Sequence, residues 1–138
     1  MSVDVYFNFD GNCLEAVNYY ATIFDVDATI TKFKEMPSNP GFPMSDEVKE
    51  RVIHANITVE GSQLRFSDTM PGMEYIVGNN LSILINSKDE KKLTNWFNKL
   101  AQDGFIIMPL GETFFSGLYG FVTDKFGVGW QFNLDKEH

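Results

Sequence analysis

Glu112-Thr-Phe-Phe-Ser-Gly-Leu-Tyr-Gly-Phe-Val-Thr-Asp-Lys-Phe-Gly-Val-Gly-Trp-Gln-Phe-Asn-Leu134 is the stretch on which the fold reading turns. Tyr119, Phe121 and Thr123 alternate with Leu118, Gly120 and Val122, the two-residue period of a strand. Asp124-Lys-Phe-Gly127 supplies turn residues. Trp130, Phe132 and Leu134 then share one face of a second strand, and Gln131 and Asn133 share the other. The stretch is therefore a hairpin with one apolar and one polar face.

Working outward, the same grammar recurs. Val3 to Phe9 alternates, with Val3, Val5, Phe7 and Phe9 on one face and Asp4, Tyr6 and Asn8 on the other. Asp10-Gly-Asn12 breaks that strand. Asn12 is read as a helix N-cap, with Glu15 at capping-box spacing. Leu14, Val17, Ala21 and Phe24 recur at helical spacing, with Tyr20 beside them. Further strands are predicted near Ala28 to Phe33, over Val52 to Val59 and over Gly61 to Asp68. Between them, Glu35 to Glu50 reads as a loop with one turn starting at Ser45, either a lid or a mobile connection. Module one covers about residues 1–68, a linker 69–80, and module two 81–138. Pro71-Gly72 and Gly78-Asn79-Asn80 punctuate the linker. Module two restarts with a strand at Leu81 to Asn86. A helix opened by Ser87 or Asp89 follows, carrying Leu93, Trp96, Phe97 and Leu100. Gly104 ends it, and Phe105 to Met108 resumes extended structure. Asn18-Tyr19-Tyr20 is echoed by Asn95-Trp96-Phe97, which supports a repeat of two βαβββ modules.

The hairpin resembles the closing hairpin of the vicinal oxygen chelate superfamily (glyoxalase, bleomycin resistance and dioxygenase proteins), in its PhnB-like branch. The elements that carry the resemblance are Thr113-Phe114-Phe115, Tyr119-Gly120 and Asp124 to Trp130. Asn8-Phe-Asp-Gly-Asn-Cys13 followed by Glu15-Ala16 and Tyr19-Tyr20 is similar to a second signature of that branch. The resemblance implies an α+β fold in which two βαβββ modules form an open cupped β-barrel with the helices outside. Parity then divides the side chains. The helix-facing set is Val5, Phe7, Ile53, Ala55, Ile57, Val59, Leu64, Phe66, Trp130 and Phe132. The opposite set is polar with few charges, as small-molecule cavities usually are. Its candidate cavity residues are Tyr6, Asn8, His54, Asn56, Arg65, Ser67, Ser82, Tyr119, Gln131 and Asn133, with Thr58 alongside.

Metal-dependent members of the superfamily bind a divalent transition metal through His, Gln or Glu from the first and last strands of each module. Carried over residue by residue, those positions fall at Val5, Tyr6 or Asn8, at Arg65, Ser67 or Asp68, at Ser82, and at Gln131. Only Gln131 is a ligand type of the family. Arg65 repels a cation, and Ser82 is a poor ligand for a borderline metal. Three or four ligands are needed. The expectation is therefore no metal cofactor, with His54, Asp68 and Gln131 as the alternative ligand set. His54 reads either as a hydrogen-bonded structural residue or as a ligand or base. His138 ends the chain, where order is seldom maintained. Cys13 at a helix start is either a lowered-pKa thiol or a small buried hydrophobe. Phe114 and Phe115 line either a cavity mouth or a dimer contact.

Composition limits the function classes. The chain has 138 residues with 43% hydrophobic and 14% aromatic content, enough for a core without staples. A net charge of −8 without a basic stripe repels a phosphate backbone, so no nucleic-acid partner is expected. No run of ~20 apolar residues is present and no membrane partner is expected. The N-terminal segment lacks the apolar block of a signal peptide, and Cys13 is the only cysteine. Both point to a cytoplasmic protein. The leading reading is a PhnB-like protein that binds a small molecule in a polar cup, without a catalytic metal, as a homodimer. The alternative is a metal-dependent glyoxalase, dioxygenase or antibiotic-resistance thiol transferase. PhnB-like sequences often carry a demethylubiquinone methyltransferase label. A Rossmann-type methyltransferase needs a glycine-rich strand-to-helix turn and alternating βα units, and neither is present. A purely structural or partner-binding domain is the remaining reading.

Overall fold

The described residues form eight strands in two four-stranded sheets, most of them with alternating apolar and polar residues. The structure is a computed structural model that describes residues 1–37 and 39–135, so His138 lies outside the described residues. The chain divides into two compact units, residues 1–75 and residues 76 onward. The fold is α+β.

In the first unit, β1 (Val5–Phe9), α1 (Cys13–Phe24), β2 (Thr29–Lys32), α2 (Asp46–Glu50), β3 (Val52–Val59) and β4 (Ser62–Asp68) form a sheet of order β1-β4-β3-β2. β1 runs parallel to β4 and the other pairs are antiparallel. Glu60 and Gly61 both take positive φ, 50° and 80°, in the tight turn between β3 and β4. This is the mirror-image turn that matches strand twist, and Gly61 adopts it without strain. α1 covers one face. Phe7, Phe66 and Tyr20 pack there with ring centroids 4.7 to 5.9 Å apart. α2 is capped by Ser45, whose side chain accepts from Val48 N. Arg51 fastens this segment. Its guanidinium donates to Asp10 at 2.9 Å, to Glu47 at 3.2 Å and to the Thr69 carbonyl at 2.8 Å.

The second unit repeats the order. It contains β5 (Ser82–Ser87), α3 (Glu90–Gln102), β6 (Phe105–Gly111), β7 (Tyr119–Thr123) and β8 (Gly129–Leu134). Their sheet order is β5-β8-β7-β6, again with one parallel pair, β5 to β8. Asp89 caps α3 by accepting from Lys92 N at 3.1 Å, and Ser87 Oγ accepts from Asp89 N. Leu93, Trp96, Phe97 and Leu100 are buried, as are Val122, Trp130 and Phe132 of the sheet that α3 packs on. A Cβ at Gly120 would lie 2.8 Å from the Phe97 ring, so glycine allows α3 to seat on β7.

Three readings of the sequence change. Val5 has the helix-facing parity but is exposed, because β1 begins there at the end of the sheet. Val52, not Ile53, is the buried residue at the start of β3. A register shift between Thr31 and Lys32 pairs Thr31 with His54 and Lys32 with Val52, leaving Ile53 as an extra residue that reverses parity. Asn12 makes no side-chain cap on α1. Asp68 takes that role from the end of β4, where its Oδ1 accepts from Gly11 N at 2.7 Å and Cys13 N at 3.0 Å.

Candidate functional site

Each sheet has one face under its helix and one face opposite. In the first unit, strand register sets Tyr6, Arg65 and Asn56 in one row across β1, β4 and β3. Asn8 pairs with Ser67 in the next row, and His54 follows two residues before Asn56 on the same face. All six first-unit candidates thus share the face opposite α1. Arg65 is anchored there. Its Nε donates to Asp4 Oδ2 at 3.0 Å, and Asp4 also accepts from Ser2 Oγ at 2.8 Å. The Ser2 hydrogen bond and then Arg65 hold the Asp4 carboxyl below its ordinary value. The terminal nitrogens of Arg65 make no hydrogen bond among the described residues, which leaves a planar fork of donors. His54 likewise has no hydrogen bond to a side chain or backbone group among the described residues. Tyr75, from the linker, donates to the Asn8 carbonyl at 2.8 Å.

In the second unit, Leu84, Gln131 and Phe121 form one row, and Asn86, Asn133 and Tyr119 the next. Ser82, Tyr119, Gln131 and Asn133 thus share the face opposite α3. Three of them are linked. The Tyr119 hydroxyl donates to Gln131 Oε1, and Gln131 Nε2 donates to Ser82 Oγ at 2.7 Å. Asn133 Nδ2 donates to Asn86 Oδ1 at 3.0 Å. Burial pushes the Tyr119 phenol above its ordinary value. Phe115 stacks edge-on against Tyr119, with centroids 5.1 Å apart, and Phe114 against Phe115.

The part of the hairpin signature from Asp124 to Trp130 is architectural. Asp124 is buried, with its Oδ1 accepting from Phe126 N at 2.8 Å and Val128 N at 3.0 Å. Its Oδ2 accepts from the Trp130 indole at 2.8 Å. One carboxylate therefore sets the turn and orients the largest core side chain. Cys13 is fully buried, and burial followed by the Asp68 charge pushes its thiol up, opposite to an activated thiolate.

A family model described as 3-demethylubiquinone-9 3-methyltransferase matches residues 2–133. The chain belongs to this family. It is 33% identical to Protein YjdN of Escherichia coli (strain K12) over 99% of this chain and 97% of that protein. It is 31% identical to a solved PhnB protein from Bacillus cereus, itself named a putative 3-demethylubiquinone-9 3-methyltransferase. That match covers 98% and 100% of the two chains with a TM-score of 0.76. At 11% identity and a TM-score of 0.66, a glyoxylase/bleomycin resistance protein/dioxygenase domain from Frankia shares the fold over 99% of this chain and 98% of its own. This is a PhnB-like chain with the fold of a glyoxylase/bleomycin resistance protein/dioxygenase domain.

The metal that the resemblance implies is a poor fit to the donors of this PhnB-like chain. Gln131 Oε1, the one family-type ligand atom, already accepts from Tyr119. Asp68, offered with His54 and Gln131 as the alternative set, has helix-facing parity and both oxygens engaged. Oδ1 accepts from Gly11 and Cys13, and Oδ2 accepts from Val52 N at 2.9 Å. His54 lies on the opposite face of that sheet. Among the described residues, no three His, Cys, Asp or Glu side chains gather as a metal site. Among those residues, too, no helix is long and apolar enough to cross a membrane.

Asp4, Tyr75 and Asn86 were absent from the candidate residues read from sequence. Asp4 had a signal, since it shares parity with Tyr6 and Asn8. Tyr75 had none, because its partner is a backbone carbonyl 67 residues away.

Proposed function

We propose that this protein binds a small molecule through the polar faces of its sheets and does so without a catalytic metal. The observation that carries the reading is the state of Gln131. Its amide oxygen accepts from Tyr119 and one of its amide N–H groups donates to Ser82, so the remnant of a ligand set is built into a hydrogen-bonded surface instead. Arg65 supports the binding role. Asp4 fixes it through Nε while its outer nitrogens stay available for a carboxylate or phosphonate. Methyl transfer, the activity in the family's description, has no support in the topology. Each sheet has a single parallel pair, without the succession of parallel strands and glycine-rich turn of a Rossmann-type methyltransferase.

The working form is a homodimer in the cytoplasm. Support for the dimer comes from β6, an edge strand whose Phe105, Ile106, Ile107 and Met108 are all exposed. A long apolar edge calls for a cover. The test of binding is an unbiased thermal-shift ligand screen on protein purified without a metal-affinity tag. A hit should bind at least about tenfold more weakly to Arg65→Ala. A screen without hits, or hits that need an added transition metal, would shift the reading to the metal-dependent alternative or to a structural domain.

A further inference from the structure

We propose that Ser82, Gln131 and Tyr119 form a subsite for the neutral carbonyl oxygen of a ligand, with Phe121 beside it for a flat apolar body. This names the chemistry of one part of the surface proposed above and rests on that reading. The argument begins with hydrogens. Tyr119 donates to Gln131, and Gln131 donates to Ser82. The Ser82 oxygen is then an acceptor whose own O–H is unspent, and Ser82 donates to no other group among the described residues. Turning the Gln131 amide over reverses the relay and leaves the Tyr119 O–H unspent instead. Either way, two hydroxyls joined by one amide leave one hydroxyl donor over. The second amide N–H of Gln131 is also unspent. The relay therefore presents donors and seeks an acceptor.

Charge selects the kind of acceptor. The register rows that contain the relay are Ser82–Gly129–Thr123, Leu84–Gln131–Phe121 and Asn86–Asn133–Tyr119. None contains an acidic or basic residue. A carboxylate would lose hydration there without a counter-charge, at far greater cost than a ketone, ester or amide oxygen. The apolar half is adjacent. An added Cβ at Gly129 would lie 3.3 Å from both the Phe121 ring and Ser82 Cβ. Glycine at 129 thus leaves a gap that the Phe121 ring edge and Ser82 both border. A donor next to an aromatic edge suits an aryl or conjugated carbonyl compound.

The experiment uses benzamide as a neutral carbonyl probe and benzoate as its charged counterpart, with the full chain labelled for two-dimensional NMR. Benzamide should shift the Gln131 side-chain amide signals and bind at least about tenfold more tightly than benzoate. Ser82→Ala should weaken benzamide about fivefold or more while the thermal midpoint stays near that of the parent. Gln131→Leu should abolish the preference for benzamide over benzoate. The subsite is overturned if benzoate shifts the Gln131 side-chain amide signals as readily as benzamide does. It is also overturned if benzamide leaves the Gln131 signals unmoved, or if Ser82→Ala binds it unchanged. Failure of the broader reading looks different. There, the unbiased screen yields no ligand at all, whereas a screening hit indifferent to Ser82 and Gln131 sinks only the subsite.

Discussion

The two sheets place the same bond in the same location and make it from different chemistry. Aligned by strand register, Arg65 of β4 corresponds to Gln131 of β8, and Asp4 before β1 corresponds to Ser82 at the start of β5. In each unit the side chain on the last strand donates to the one at the first strand. The contact is an ion pair in the first unit and a neutral hydrogen bond in the second. His54 and Tyr119 also correspond, each two residues before the partner of that last-strand side chain. Tyr119 closes a relay, whereas His54 stays unbonded among the described residues. Topology has therefore determined which positions lie opposite the helix, and side-chain identity has determined which groups they present. The first face offers a fixed cation, the second a run of neutral donors.

The largest effect expected on this comparison comes from Asp124, the carboxylate that holds the second sheet's hairpin. Asp124→Ala strands two backbone N–H groups and the buried Trp130 indole. A loss of about 3 kcal/mol or more is expected in urea unfolding. A loss below about 1 kcal/mol would mean that the turn does not depend on this carboxylate.

Next in size is the pair Ala55 and Gly120, which also correspond by register. Gly120→Ala drives a methyl to 2.8 Å from the Phe97 ring and should cost about 1–3 kcal/mol. Near-neutrality in a thermal melt would show that α3 can shift on its sheet.

Alkaline pH probes Tyr119 together with Tyr75 and Cys13. Burial raises the phenols of Tyr119 and Tyr75 above their ordinary 10.0, and raises the Cys13 thiol above its ordinary 9.0. For a raised folded value, the unfolded chain releases its proton first. The stabilisation is thus complete below the ordinary values and is lost as pH rises past them. Denaturation midpoints should fall from about pH 9 upward, and less steeply in Tyr119→Phe. A flat profile to pH 11 would contradict the burial of the Cys13 thiol and the partial burial of the two phenols.

The smallest effect is the most discriminating between the sheets. The coupling of Asp4 to Arg65 in a double-mutant cycle should shrink as salt is raised, since both side chains are partly exposed. It should also fade in acid. The Asp4 carboxyl is held low in the folded chain, so its stabilisation is present above the ordinary carboxylate value and lost as pH falls through the lowered one. The Ser82 to Gln131 coupling should respond to neither. Equal salt dependence in the two cycles would erase the distinction between the faces.

Much of this arrangement was legible in the sequence because strand parity is a local signal. It located the apolar faces around Phe7, Phe66 and Phe132, buried Trp130, and grouped the polar candidates of each sheet correctly within their units. It failed where a local rule was overridden at long range. The extra residue at Ile53 is invisible to alternation, because the register shift exists only in the pairing with β2. Asn12 is a sound N-cap by type, yet a carboxylate 55 residues beyond Cys13 takes the role. The same fact removed Asp68 from the ligand alternatives, since sequence shows a carboxylate but not the amides already bonded to it. The Tyr119–Gln131–Ser82 relay was legible as three residues and not as a relay, because its two links span 12 and 49 positions.

The central claim is that Gln131 serves a hydrogen-bonded binding surface and not a metal. Elemental analysis of protein purified without a metal-affinity tag and without chelator tests it most directly. The account predicts no stoichiometric transition metal, and no change in metal content on Gln131→Ala. About one transition-metal ion per chain, lost in Gln131→Ala, would contradict it and make the metal-dependent reading the leading one.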